Sequence, residues 1–66
     1  MQAWNPVKVN NPESVHHGRA GTVMRVEKRG DLQLAQVFLD AQGDQGELNY
    51  KPAETEPFAV AELQML

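Results

Sequence analysis

The stretch Pro12–Asp40, PESVHHGRAGTVMRVEKRGDLQLAQVFLD, decides the fold because it predicts a loop followed by a β-hairpin. Gly30-Asp31 has the residues of a two-residue hairpin loop, since glycine at the first central position accepts the positive φ of a type II′ turn. With that loop in place, Arg29 pairs with Leu32 and every later pair follows by counting. The predicted strands span about Thr22–Lys28 and Leu32–Asp40.

The two faces of this hairpin differ in polarity. Side chains alternate along a strand, so the register assigns to one face the largely apolar pairs Val26–Ala35, Met24–Val37 and Thr22–Leu39. The opposite face is mixed and carries the pairs Glu27–Leu34, Arg25–Gln36 and Val23–Phe38. We expect the apolar face to form the core and the mixed face to be open to a partner.

Length and composition restrict the chain to one small domain, residues 1–66. A core of this size supplies no more than roughly 3–5 kcal/mol of net stability, and the absence of cysteine excludes disulfides and thiolate metal sites. The net charge of −3 argues against non-specific binding to nucleic acid or to anionic membranes. No apolar run is long enough for a signal peptide or a transmembrane helix, so we expect a soluble, cytoplasmic protein.

The rest of the chain predicts three more short strands. Val7 and Val9 alternate with polar neighbours in Pro6–Asn10, and Phe58 and Val60 alternate in Pro57–Val60. Ala61–Leu63 predicts one helical turn, and Gln64–Leu66 a last strand. The fold class is therefore all-β, a small five-stranded barrel with a short helical turn before the last strand.

Two long loops separate these strands, at about 10–20 and 41–56. Gly18 and Gly21, at the end of the first loop, are expected to take backbone angles closed to other residues. Within the second loop, Glu47–Lys51 is an alternative extension of the sheet. Long loops in small domains are often functional.

Several short stretches occur in this order along the chain: Pro12-Glu13-Ser14, Gly21-Thr22-Val23, Val37-Phe38-Leu39-Asp40, Pro57-Phe58-Ala59 and Glu62-Leu63. With these residues, the order of the elements resembles that of an SH3-like barrel, and more closely that of the electron-transport accessory proteins, such as photosystem I subunit IV and the variable chain of ferredoxin–thioredoxin reductase. The resemblance implies a non-catalytic accessory barrel that docks on a larger protein. The chain departs from that subunit in its first loop, where Val15-His16-His17 replaces aromatic residues, and in having a less basic surface.

His16-His17 is the first place to look for a metal or a catalytic base. Adjacent residues in an extended loop point in opposite directions, and no cysteine or further histidine completes a coordination sphere. Ser14 lies near, but no nucleophile motif surrounds it. We therefore predict no catalytic residue, no metal and no cofactor, and an exposed histidine pair that responds to pH near neutrality.

Two other functional classes are open alternatives. Plasmid-type dihydrofolate reductase is a barrel of similar size that acts as a homotetramer, and Leu32-Gln33-Leu34-Ala35 is a faint match to its active-site stretch. Nucleic-acid binding is the second alternative, since Arg25, Lys28 and Arg29 lie close together. Glu27 and Asp31 are interleaved with them, however, and few aromatic residues are available for base stacking.

The mixed hairpin face is the predicted docking surface. A partly exposed apolar patch that contains an aromatic residue and an arginine is typical of protein interfaces. We expect the protein to bind a larger protein or further copies of itself, without membrane insertion. The predicted interface residues are Trp4, Arg19, Val23, Arg25, Gln36 and Phe38.

Overall fold

The computed structural model of the protein describes residues 1–66 and confirms the all-β class. A single three-residue 3₁₀ turn, Val60–Glu62, precedes the last strand, as predicted but one residue earlier in the chain. No helix is therefore long enough to span a membrane. The strands are β1 Pro6–Val9, β2 Ala20–Arg29, β3 Leu32–Leu39, β4 Glu54–Ala59 and β5 Leu63–Met65.

All five strands belong to one antiparallel sheet with the order β4-β3-β2-β1-β5. The turn between β2 and β3 is the predicted one: Gly30 has a φ of +60° and Asp31 has no positive φ, which is the pattern of a type II′ turn. Next to the turn, Arg29 pairs with Leu32 and Arg25 with Gln36, as counted from the sequence. The turn residues and the alternation of side chains were therefore sufficient to predict the strand pairing in the half of the hairpin next to the turn.

Beyond Arg25 the predicted register is wrong. A β-bulge at Met24 shifts the pairing by one residue, so that Val23 pairs with Val37 and Thr22 with Phe38. A bulge places two residues of one strand opposite one residue of the other, which reverses the face of every residue beyond it. Val23 therefore points into the core and Met24 is exposed, the opposite of what an unbroken alternation predicts.

The hydrophobic core is one cluster contributed by the first four strands. A single sheet with no helix or second sheet against it can bury these residues only by curling around them. Yet β4 and β5 are the two edges of the sheet and no hydrogen-bonded ladder joins them, so closure into a barrel stays a prediction. The cluster consists of Val7, Val9, Val23, Ala35, Val37, Leu39 and Phe58.

Gly21 is required for close packing, not for an unusual backbone angle. A Cβ atom at this position would lie 2.5 Å from the carbonyl oxygen of Phe38 and 2.9 Å from Cγ1 of Val37. Gly18 does have the predicted positive φ, +86°. Gly18 in the first loop and Gly21 in β2 are thus needed for different physical reasons.

The strand β4 begins earlier in the chain than the sequence predicted. The strand begins at Glu54, inside the predicted second loop, and it contains Pro57 because an edge strand tolerates a missing N–H donor. Residues 47–51 do not form a strand and contribute only one isolated bridge, between Gln42 and Lys51. The loops that remain span residues 10–19 and 40–53.

Candidate functional site

The side of the β2-β3-β4 sheet that faces away from the core is the candidate functional surface, and we call it the outer face. Its residues form three rows across the strands. Phe38 lies at the centre of the first row and is 41% exposed, because its neighbours on both sides are threonines with short side chains. The rows are Thr22–Phe38–Thr55, Arg25–Gln36–Pro57 and Glu27–Leu34–Ala59.

Positive charge predominates on this face. Arg25, Arg29 and, on β1, Lys8 supply three cations, whereas Glu27 is the one acid. The Glu27 carboxylate forms ion pairs with both Arg25 and Arg29. Because the whole chain carries a net charge of −3, the acids are concentrated elsewhere. Pairing with Glu27 also reduces the charge available for phosphate groups, which weakens the nucleic-acid alternative.

Trp4 lies at the β1 side of the bulge. Its backbone N–H donates to the Val23 carbonyl oxygen at 2.6 Å, and the surrounding turn is closed by an N–H···O bond from Asn5 to Gln2 of 3.3 Å. The φ of Trp4 is +71°, which is uncommon for a bulky residue and costs on the order of 1–3 kcal/mol. Its side chain is nevertheless 72% exposed. The turn therefore holds a large aromatic residue in solvent.

The structure separates the six predicted interface residues into two groups. Arg25, Gln36 and Phe38 do lie on the outer face, and Trp4 is exposed beside it. Val23 is fully buried, so its inclusion was wrong, and the cause is the bulge at Met24. Arg19 is only 2% exposed, so it too offers no contact surface.

Arg19 instead cross-links the two long loops beneath the surface. Its Nη2 donates to the carbonyl oxygens of Asp40 and Pro52, at 3.0 and 2.8 Å. Its Nη1 lies 3.3 Å from Nδ1 of His16 and 3.7 Å from a carboxylate oxygen of Glu54. Only Nε has no partner. A buried guanidinium needs such partners, and here all but His16 come from segments more than twenty residues away in the chain.

His16 is correspondingly half-buried, not exposed as predicted. Its ring packs edge-on against Phe58, with a centroid distance of 5.8 Å and an interplanar angle of 82°. Its Nε2 lies 3.5 Å from Glu54, and Glu56 is the next residue on the same side of β4. No sequence signal pointed to this cluster, because its parts are distant in the chain and none belongs to a motif.

The cluster has ligand types that metals use, since His16, Glu54 and Glu56 each offer one ligand atom within 4.8 Å of the others. Arg19 opposes such a site. A guanidinium can only donate, so Nδ1 of His16 must accept and the ring proton stays on Nε2, leaving neither nitrogen free for a metal. Arg19 also brings a positive charge to the carboxylate of Glu54. These contacts describe a hydrogen-bond network that holds the loops together.

Comparison with known proteins gives no match to a protein-family model, a curated protein or a solved structure. The resemblance to electron-transport accessory proteins therefore stays a prediction that rests on the residues themselves.

Proposed function

We propose that the protein is a non-enzymatic interaction module that docks on a larger protein through its outer face. The observation that carries this proposal is the outer face itself, where Phe38 and Leu34 lie between polar and basic residues and Phe38 is 41% exposed. Exposed aromatic residues next to arginine are the commonest anchors of protein interfaces. Docking also supplies burial that so small a core cannot supply alone.

The charge of the outer face defines the chemistry of the partner. Lys8, Arg25 and Arg29 outnumber Glu27, so a complementary surface has an apolar centre and an acidic border. Such complementarity raises the association rate and makes binding weaken as salt is added. Trp4, 72% exposed beside the bulge, is a second aromatic residue available to a partner.

The resemblance seen in the sequence favours the same role. Strand order, the 3₁₀ turn before the last strand and a core shared by β1 and β4 are all compatible with an SH3-like barrel. Accessory barrels of the electron-transport type dock on larger complexes and perform no chemistry. The proposal does not depend on that family, since the outer face supports it alone.

The test is an affinity capture from a native extract with four forms of the tagged protein: wild type, Phe38→Ala, Arg25→Ala and Leu48→Ala. Leu48 is the matched control, because it is an exposed apolar residue of the second loop that belongs to none of the three rows of the outer face. Truncating an interface anchor costs about 2 kcal/mol or more, so Phe38→Ala should weaken binding by roughly thirtyfold. We expect one stoichiometric protein that wild type and Leu48→Ala retain and the other two lose.

A partner that is lost equally from all three variants, or from none of them, would disprove docking through the outer face. If only copies of the chain itself are recovered, its mass in solution decides between the module and a homotetramer of the reductase type. Salt-sensitive binding of the purified protein to RNA or DNA would instead support the nucleic-acid alternative.

A further inference from the structure

The free edge of β4 is the side of that strand that points away from β3, and the pairing of β3 shows which residues of β4 face it. In an antiparallel sheet, alternate residues of a strand bond to one neighbouring strand and the residues between them bond to the other. Asp40 donates its backbone N–H to the carbonyl oxygen of Ala20 at 3.0 Å, and Leu32 pairs with Arg29 to close the two-residue turn. Even-numbered residues of β3 therefore bond to β2, and odd-numbered residues bond to β4.

The backbone groups that β4 presents at its free edge follow from this alternation. Every odd-numbered residue of β3 lies opposite an even-numbered residue of β4. The backbone groups of the odd-numbered residues of β4, which are Thr55, Pro57 and Ala59, therefore point towards the free edge. A strand added at this edge would have to form its hydrogen bonds with these residues.

Two of these residues have no N–H to offer to a further strand. Pro57 lacks the N–H group, and its ring occupies the space in which a neighbouring strand would place a carbonyl oxygen. The N–H of Ala59 donates to Oε2 of Glu62 at 2.9 Å, so it is already bonded within the chain. Thr55 alone retains a donor at this edge.

We propose that Pro57 and Glu62 close the free edge of β4 to strand addition by a second copy of this chain. Two antiparallel copies of β4 related by a two-fold axis at residue 57 would bring Thr55 of one copy opposite Ala59 of the other, and so would use every outward-facing residue. Pro57 removes the central hydrogen bonds of that pairing, and Glu62 holds the Ala59 N–H that the carbonyl oxygen of Thr55 needs. An edge strand without such protection is a template for association.

The closed edge borders the outer face, because Thr55, Pro57 and Ala59 each end one of its three rows. A protein that docks on the outer face therefore contacts it with side chains and does not extend the sheet. This consequence rests on the docking function proposed above, whereas closure of the edge does not. Closure is accordingly tested with the purified chain alone.

The double variant Pro57→Thr/Glu62→Ala restores both missing donors. Each main-chain hydrogen bond gained raises an association constant roughly fivefold, so this variant should dimerise at least roughly a hundredfold more tightly than wild type in sedimentation equilibrium. Amide hydrogen exchange identifies the surface that pairs. In the double variant the amides of residues 55, 57 and 59 should become more protected as the protein concentration rises, whereas the wild-type Thr55 amide should exchange freely.

Matched variants separate closure of the edge from general effects of substitution. Pro52→Thr changes an exposed proline of the second loop, and Glu62→Gln retains an oxygen that accepts from the Ala59 N–H, so both should behave as wild type. Pro57→Thr keeps Glu62 and should dimerise to an intermediate extent, which decides the question if loss of Glu62 unfolds the chain. A protected Thr55 amide in the wild-type monomer, or dimerisation of Pro57→Thr no tighter than that of wild type and Pro52→Thr, would overturn the proposal.

Discussion

The β-bulge makes a sharp prediction, because it exchanges the environments of two adjacent apolar residues. Val23 is fully buried against Val37, whereas Met24 is 41% exposed and has no partner in the β2–β3 pairing. Truncating Val23 to alanine removes two buried methyl groups, worth about 0.8 kcal/mol each, and leaves a cavity. We expect Val23→Ala to lower the free energy of unfolding by about 2–3 kcal/mol, and Met24→Ala by less than about 1 kcal/mol.

Urea unfolding followed by far-UV circular dichroism measures this difference. Trp4 is too exposed to report on unfolding by fluorescence, so a backbone signal is preferable. For a domain of this size the urea dependence is about 1 kcal/mol per molar, so Val23→Ala should lower the midpoint by roughly 2–3 M. An unbroken register predicts the reverse order, since Met24 would then face the core opposite Val37. A larger loss for Met24→Ala than for Val23→Ala would therefore refute the bulge.

Three further substitutions test local packing, the hairpin turn and the 3₁₀ turn before β5. Gly21→Ala should lower the free energy of unfolding by about 2–3 kcal/mol, because the new Cβ would lie 2.5 Å from the Phe38 carbonyl oxygen. Gly30→Ala should lower it by about 1–2 kcal/mol, because a Cβ there has nothing within 4 Å but the residue has a φ of +60°. Equal urea midpoints for the two variants would contradict this reasoning. Glu62→Ala removes the carboxylate that accepts a hydrogen bond from the backbone N–H of Ala59 at 2.9 Å. It should lower the free energy of unfolding by about 1–3 kcal/mol and speed hydrogen exchange of the Ala59 amide. Unchanged exchange would show that another group binds this amide.

The hairpin shows how far sequence reasoning reaches in this chain. Gly30-Asp31 and the alternation next to it were enough to predict the turn type and the pairs from Arg29–Leu32 to Arg25–Gln36. Reasoning failed at Val23-Met24, because two adjacent apolar residues satisfy the alternation equally well in either of two registers. The contact that selects one register is the packing of Val23 against the rest of the core, which includes residues of β1 that lie outside the hairpin.

In the candidate site, too, the sequence predicted the positions of some residues correctly and those of others wrongly. Arg25 and Gln36 were assigned to one face correctly because they pair on the turn side of the bulge, and Phe38 because alternation along β3 places it on the same face as Gln36. Arg19 was assigned to the surface because arginine is rarely buried without partners. Its partners are the carbonyl oxygens of Asp40 and Pro52, and no pattern in the sequence identifies a backbone oxygen as an acceptor for a distant side chain.

By itself, the sequence determined the all-β class, the hairpin turn and most of the strands, since these depend on glycine and on side-chain alternation over a few neighbouring residues. Only the tertiary structure decided that Val23 is core, that Arg19 joins two loops and that His16 lies beside Glu54. These features depend on contacts between segments that come together only when the sheet curls around its core. The local chemistry of each segment is compatible with several such arrangements, and the packing of the whole chain selects one.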